Sequence, residues 1–277
     1  MSEATVTRAR LGDLIASRID AEADGRASFE ASGGIRHLAI DDLLPADVAR
    51  RIGEGFPHTS EMVRNRKLRE DKYVSAQLNR HDPLVEEAVY GFQSRPVLDA
   101  VERATGISGL QPDDHLYAGG ISSMTRGQFL APHLDNSHDK DRQRWRVLNL
   151  LYYVTPDWTP GRGGSLELWP DGPRGRRMSI ESRFNRLVIM ETHEGSWHSV
   201  SSIEADGARN CVSNYYFRAR PIHDGERYHV TSFRSWPGEH LRDLALRADT
   251  LGRALVRGVV GTRIIENPHV YRRDEEK

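Results

Sequence analysis

His133, Leu134 and Asp135 form a His-x-Asp triplet, an imidazole and a carboxylate separated by one residue. At the end of a β-strand, positions i and i+2 point the same way, so the two groups would face a common point. His198, just beyond the apolar run RLVIMET, is the best-placed second imidazole. Two neutral nitrogens and one carboxylate on one face leave half of an octahedron open, the ligand set suited to a mononuclear non-haem iron(II). A cysteine-based metal site has no material, because Cys211 is the one cysteine of the chain. His-x-Asp triplets are common in loops, so the neighbours carry weight. Arg209 opens the run NCVSNYYF, and counting by two from it places Cys211, Ser213, Tyr215 and Phe217 on one side of a strand. If that side faces inward, a guanidinium sits inside a barrel, where it needs an anion to offset its desolvation. Its planar fork suits a carboxylate. The alternative leaves Arg209 at the strand end in water, with Arg186 next in line for the role.

The elements that must position these groups are short strands. From about residue 115 to 220 the runs LYAGGISSM, RVLNLLYYV, GGSLELW, RLVIMET and NCVSNYYFRA alternate with Gly, Pro, Asp and Asn turns. They are rich in β-branched and aromatic residues, and such spacing predicts a sandwich or barrel. Helices flank them. Leu11, Leu14, Ile15 and Ile19 recur at helical spacing, and residues 36–56 read as a strand followed by a helix started by Asp42 or by the Leu44-Pro45 step. Residues 84–106 read as two helices, the second capped by Ser94, with Pro96 in its first turn and ended by Gly106. Leu241, Leu244, Ala248, Leu251 and Leu255 form a stripe expected to pack a last helix on the barrel, and RRDEEK reads as a frayed tail. The organisation expected is a helical and strand region over 1–110, a core over 111–235 and a helix with tail over 236–277, all one structural domain.

Composition narrows the classes. The chain has 277 residues, 38% hydrophobic, with 39 basic against 40 acidic side chains. A sizeable core is affordable, and the balanced charge argues against a protein built to coat nucleic acid. The charged N-terminus reads as no secretory signal. No run approaches about 18 apolar residues, so no membrane partner is expected. A single cysteine suits a cytoplasmic setting.

Several ordered motifs together carry a resemblance. The series HLDN, RVLNLLYYVTPDW, GGSLELWP, FNRLVIMETHEGSWHSV and RNCVSNYYF, over about residues 115–220, resembles the prolyl 4-hydroxylase-like branch of the Fe(II)/2-oxoglutarate-dependent dioxygenases. The resemblance implies an α+β fold whose core is a double-stranded β-helix, a jelly-roll or cupin-like barrel, with helices outside. It implies His133, Asp135 and His198 as ligands of Fe(2+), and Arg209 as the partner of the 2-oxoglutarate C5 carboxylate. Ser213 and Tyr153 fall where hydroxyls support that carboxylate, although an ordinary core tyrosine remains open for Tyr153. Some relatives add a tyrosine on the first core strand, where this chain has Ile121, Ser122, Ser123 and Met124. O2 is the second co-substrate and ascorbate an optional reductant. The implied reaction hydroxylates an aliphatic C–H and releases succinate and CO2. Asp135 fills the position that related halogenases leave small, which favours hydroxylation, with desaturation or ring closure decided by substrate geometry.

The loop Asn136–Arg142 is expected to form the substrate rim or simply a solvated charged loop, with His138 in the rim and not a ligand. Trp197 and Tyr215 are candidates for the substrate side or for core. The substrate is expected to be a small molecule or a peptidyl residue, and the oligomeric state is left open. Two other classes stay in view: a non-catalytic barrel that binds without turnover, and a cupin-like metal protein independent of 2-oxoglutarate.

Overall fold

Leu11, Ile15 and Ile19 bury one side of α1 (Arg8–Asp20), and that side packs against α4 (Pro83–Phe92) and α5 (Arg95–Thr105). The computed structural model describes residues 6–117 and 119–260. Pro83 opens α4 after Asp82, whose carboxylate accepts from the Leu84 N–H, and Gly106, at φ 72°, ends α5 in the left-handed region open to glycine. Ser94 holds the N-cap position of α5, but its hydroxyl donates to the Gly91 carbonyl instead of capping. With α2 (Gly25–Ala31) and α3 (Ala46–Glu54) these helices form a layer. The helix α3 starts at the Leu44-Pro45 step, not at Asp42.

The layer covers one face of a curled antiparallel sheet. Its strands are β1 (His37–Ile40), β2 (Val63–Lys67), β3 (Glu70–Ser75), β4 (Gly120–Met124), β5 (Phe129–Leu134), β6 (Trp145–Tyr153), β7 (Leu166–Leu168), β8 (Met178–Ile180), β9 (Arg186–Glu191), β10 (His198–Val200), β11 (Arg209–Arg218) and β12 (Ser232–Phe233). The order is β1-β9-β6-β11-β4-β3-β5-β10-β7-β8, with β2 on β3 and β12 on β5. Alternation along β6, β9 and β11 divides the core. Leu148, Leu150, Tyr152, Leu187, Ile189, Val212 and Tyr216 join the helices. Leu151, Tyr153, Val188, Met190 and Cys211 line the other face with Leu166 and Leu168. This is the half-barrel of a double-stranded β-helix, with its concave interior free to hold a site.

Two features depart from the sequence expectations. The β2–β3 hairpin was invisible because VRNRK and EDKYVS carry charges where a half-buried strand would alternate; it is held by pairing to β4 and β5. The last helix, α6 (His240–Val260), exists, but its leucine stripe does not pack on the barrel: Leu241 is 87% exposed and Leu244 and Leu251 65%. Ala248 is also exposed, while the side chain of Leu255 and the RRDEEK tail lie outside the described residues. Asp243 decides the docking face. It takes two hydrogen bonds from Arg234, at 2.6 and 2.8 Å, and thereby turns Leu246 inward onto Ala131 and Phe233. No helix among the described residues is long and apolar enough to cross a membrane.

Candidate active site

His133 and His198 are directly paired across β5 and β10, the register joining the two imidazole positions. Each ring is oriented the same way. Nδ1–H of His133 donates to the Ala131 carbonyl at 2.9 Å, and Nδ1–H of His198 to the Ser196 carbonyl at 2.9 Å. Both Nε2 lone pairs are thereby turned toward Asp135, 3.7 Å from Oδ1 and 3.6 Å from Oδ2 respectively. Burial, then the neighbouring His198, pushes His133 down to about 3, so this imidazole is neutral at ordinary pH. Burial works to raise the Asp135 carboxyl, yet His198 and Arg146 hold it below its usual value. Nε2 of both rings therefore faces a carboxylate, whose Oδ2 is buried without a hydrogen-bond partner. Electron pairs converging in a dry interior need a cation between them, and two imidazoles with one carboxylate fit a divalent transition ion with open positions. The three ligand atoms lie within 4.8 Å of one another.

Glu191, His193 and His223 are similarly close, but their donors are committed. Glu191 takes both hydrogen bonds of Arg36, and His193 Nδ1 accepts from the Gly195 N–H.

Arg209 is the first residue of β11, 3% exposed and inside the barrel. Its Nε donates to Ser182 Oγ at 3.1 Å, and its guanidinium sits 4.7 Å over the Tyr153 ring. No carboxylate pairs with it among the described residues, so a buried cation faces the interior without an anion. Tyr153 Oη is buried beside Ser182 and Arg209 without a well-aligned hydrogen bond to either, and burial pushes that phenol up to about 12. The Gly163-Gly164 pair has a spatial reason. At Gly164, φ is +73° and a Cβ would stand 2.6 Å from Ile203 Cδ1 and 3.1 Å from Arg209 Cδ. The second glycine thus clears space for the arginine stem. Arg186 is taken: it pairs bidentately with Asp41 at 2.6 and 2.8 Å.

Ser213 lies further along β11, its hydroxyl 3.8 Å from Cys211 Sγ. It lines a cleft with Lys72, Ser122 and Tyr215, among others. The hydroxyl that touches Arg209 belongs to Ser182, on a loop with no sequence signal. Trp197 is half-buried in the turn before β10, its carbonyl accepting from the Trp169 N–H. Arg146 was also missed. It is 3% exposed, with NH1 3.6 Å from Asp135 Oδ1. Strict alternation puts it on the helix side. The register between β6 and β11 skips Val147, pairing Tyr216 with Leu148 and Phe217 with Arg146. That bulge turns Arg146 to the inside. The reading of residues 136–142 as a solvated loop is corrected: Asn136, Ser137, His138 and Asp139 are buried, and Asp139 accepts from Arg144 Nε at 2.8 Å. Only the tip is exposed.

Residues 119–217 match the model of the 2OG-Fe(II) oxygenase superfamily. A prolyl 3-hydroxylase from Xenopus laevis, OGFOD1, is 34% identical over 84 residues, which are 28% of this chain and 16% of that protein. The chain thus spans about a sixth of the length of that relative. A Pseudomonas putida prolyl-4-hydroxylase superposes with a TM-score of 0.50 at 18% identity, over 74% of this chain and 99% of the other. A prolyl 4-hydroxylase from Phytophthora capsici does so with 0.53 at 17% identity, over 90% and 79%. At these identities the superpositions speak for the fold alone. The matched residues, 119–217, span β4 to the greater part of β11 and include His133, Asp135, His198 and Arg209, so the site described above lies within the stretch that is similar to the 2OG-Fe(II) oxygenase superfamily.

Proposed function

We propose that this chain is an Fe(II)- and 2-oxoglutarate-dependent oxygenase that hydroxylates an aliphatic C–H of a small-molecule or peptidyl substrate, with release of succinate and CO2. The observation that carries this is one interior holding both a ligand set for a divalent ion and a buried guanidinium with no carboxylate of its own. His133, Asp135 and His198 would hold the iron, which when bound supplies the oxidising chemistry of the family. The protein's share is positioning and electrostatics. The Ala131 and Ser196 carbonyls lock the imidazole tautomers, and Asp135 stays ionised. Arg209, steadied by Ser182 and backed by the Tyr153 ring, would take the distal carboxylate of the co-substrate, with the buried Tyr153 hydroxyl at hand to donate to it. Ser213, on the cleft, would meet the co-substrate or the substrate from the side.

A metal protein that ignores 2-oxoglutarate has no use for an unpaired interior Arg209. The prolyl chemistry in the Xenopus relative's name makes prolyl compounds the first candidates, and one buried thiol suits a reducing compartment. The test is succinate release from 2-oxoglutarate by purified Fe(II) protein against a panel of prolyl peptides and amino acids. Succinate that requires both iron and Arg209 supports the reading. Turnover unaffected by omission of 2-oxoglutarate refutes it.

A further inference from the structure

The side of α6 that faces away from the barrel is the apolar one, and four contacts fix that orientation. Leu246 seats on Ala131 and Phe233. Asp243 takes its two hydrogen bonds from Arg234. Arg242 NH2 donates to the Leu68 carbonyl at 2.6 Å, and Arg69 pairs with Asp249 at 2.8 Å. Rotating the helix to bury its leucines would break both ion pairs and withdraw Leu246. Leu241, Leu244, Ala248 and Leu251 are therefore held exposed on one stripe. Leu68, more than half exposed at the tip of the β2–β3 hairpin, lies beside the helix. The steps between the four stripe positions are three, four and three residues, the spacing of a two-helix seam. A contiguous apolar stripe on a protein surface marks an interaction site.

The same spacing selects the partner. Three, four, three reads alike from either end. A twofold axis across the middle of the stripe, level with Leu246, sets Leu241 opposite Leu251 of a second copy and Leu244 opposite its Ala248. Two bulky layers then close the ends, and a large side chain meets a small one on each side of the axis. An isologous interface requires this self-complementarity. Charge permits it. Over residues 241–252 the exposed charged side chains of α6 are Arg247 and Asp249, one of each sign. Like copies are not driven apart, and an anionic lipid surface, which selects an excess of basic side chains, finds none. Area permits it as well. A helix of 21 residues is about 30 Å long and about 10 Å wide, and with the hairpin tip beside it offers on the order of 600 Å² per partner, where specific interfaces begin. We propose that this chain forms a twofold dimer through α6, the two helices antiparallel and in contact along Leu241, Leu244, Ala248 and Leu251. The pairing does not depend on the chemistry inside the barrel.

The test is sedimentation velocity of the full chain between about 1 and 100 μM, which should reach twice the chain mass within that range. Leu244→Arg and Leu251→Arg each bring like charges into the seam and should weaken association about a hundredfold or more. Both should leave the melting of the monomer unchanged, because these leucines are exposed in it. Val63→Arg, at an exposed apolar position on β2 at the open end of the hairpin, should leave association as it is. Cysteine pairs read the register. Leu241→Cys protein mixed with Leu251→Cys protein should form a disulfide-linked pair under mild oxidation. Neither variant should do so alone, because each position lies about 15 Å from its own symmetry mate and a disulfide spans at most about 7 Å between Cα atoms. Cys211 is buried and does not compete. The proposal is overturned by a chain that stays monomeric throughout, by a dimer that survives both arginine variants or is lost equally in Val63→Arg, or by crosslinks in the single variants instead of the mixture. A monomer that sediments with vesicles of phosphatidylserine and phosphatidylcholine overturns it too, and gives the stripe to a membrane surface.

Discussion

Replacing Arg209 with Met should remove most of the stabilisation that 2-oxoglutarate confers while leaving the unliganded fold intact. The guanidinium has Ser182 and Met124 as neighbours but no carboxylate, so the substitution breaks no ion pair, and Met keeps a stem to fill the space beside Gly164. Losing one partner of a buried charge pair costs about 2–5 kcal/mol. Ser182 and the Tyr153 hydroxyl remain, so the lower half applies, about 2.7 kcal/mol or a hundredfold in Kd. At 2-oxoglutarate about 100 times the wild-type Kd, ligand stabilises by about 2.7 kcal/mol; a hundredfold weaker site leaves about 0.4 kcal/mol. For a chain of this size that is a melting shift of roughly 5–10 °C reduced to about 1–2 °C. The assay is thermal melting of Mn(II) protein with and without 2-oxoglutarate. A full shift in Arg209→Met would refute the assignment of the distal carboxylate to this residue. Arg209→Lys should recover only part of the shift, because a point charge does not reproduce a bidentate fork.

Asp135→Ala, His133→Ala and His198→Ala should each lose bound iron on dialysis while retaining a cooperative melt, since all three sit at strand ends; full iron occupancy in any of them removes that residue from the ligand set. Gly164→Ala should destabilise by about 1–3 kcal/mol, from the left-handed backbone and the contact with Ile203, and should weaken 2-oxoglutarate binding through the Arg209 stem; unchanged binding would show that the stem's position is unimportant. The hydrogen bond from Arg234 holds Asp243 down at about 2, from an ordinary 3.8. A depressed carboxyl contributes stability that is full above its unfolded value and is lost as pH falls through its folded value, so α6 docking should loosen between about pH 4 and 2. Asp243→Asn should flatten this acid arm of the melting curve, and an unaltered arm would discount the pair.

How much could be read from residues alone followed the physics of each signal. The strands of residues 145–218 were legible because apolar and β-branched runs between turn residues have no other stable use, and His133, Asp135, His198 and Arg209 were found because their side chains follow regular alternation. Arg146 escaped because the bulge at Val147 reverses that alternation. Ser182 escaped because its role is set by a loop meeting β11 from a distance. The β2–β3 hairpin escaped because its charged residues show no alternation and it is anchored through β3, which pairs with β4 and β5. The leucines of α6 misled because one ion pair, Asp243 with Arg234, outranked them in choosing the buried face.

The pairing of His133 with His198 also bears on how such a chain can change length. Two of the three ligands are held by ladder bonds between adjacent strands, so their separation does not depend on the path the chain takes between them. Insertions between β7 and β8, around Asp171–Arg177, should leave the pair untouched, and the turn at Lys140–Arg142 should accept extra residues for the same reason. A single residue added inside Phe129–Leu134 is another matter, because it would send His133 to the opposite face. Variation in this chain's relatives is therefore expected to collect in those connections, where new side chains can be brought to the mouth of the barrel without disturbing its centre.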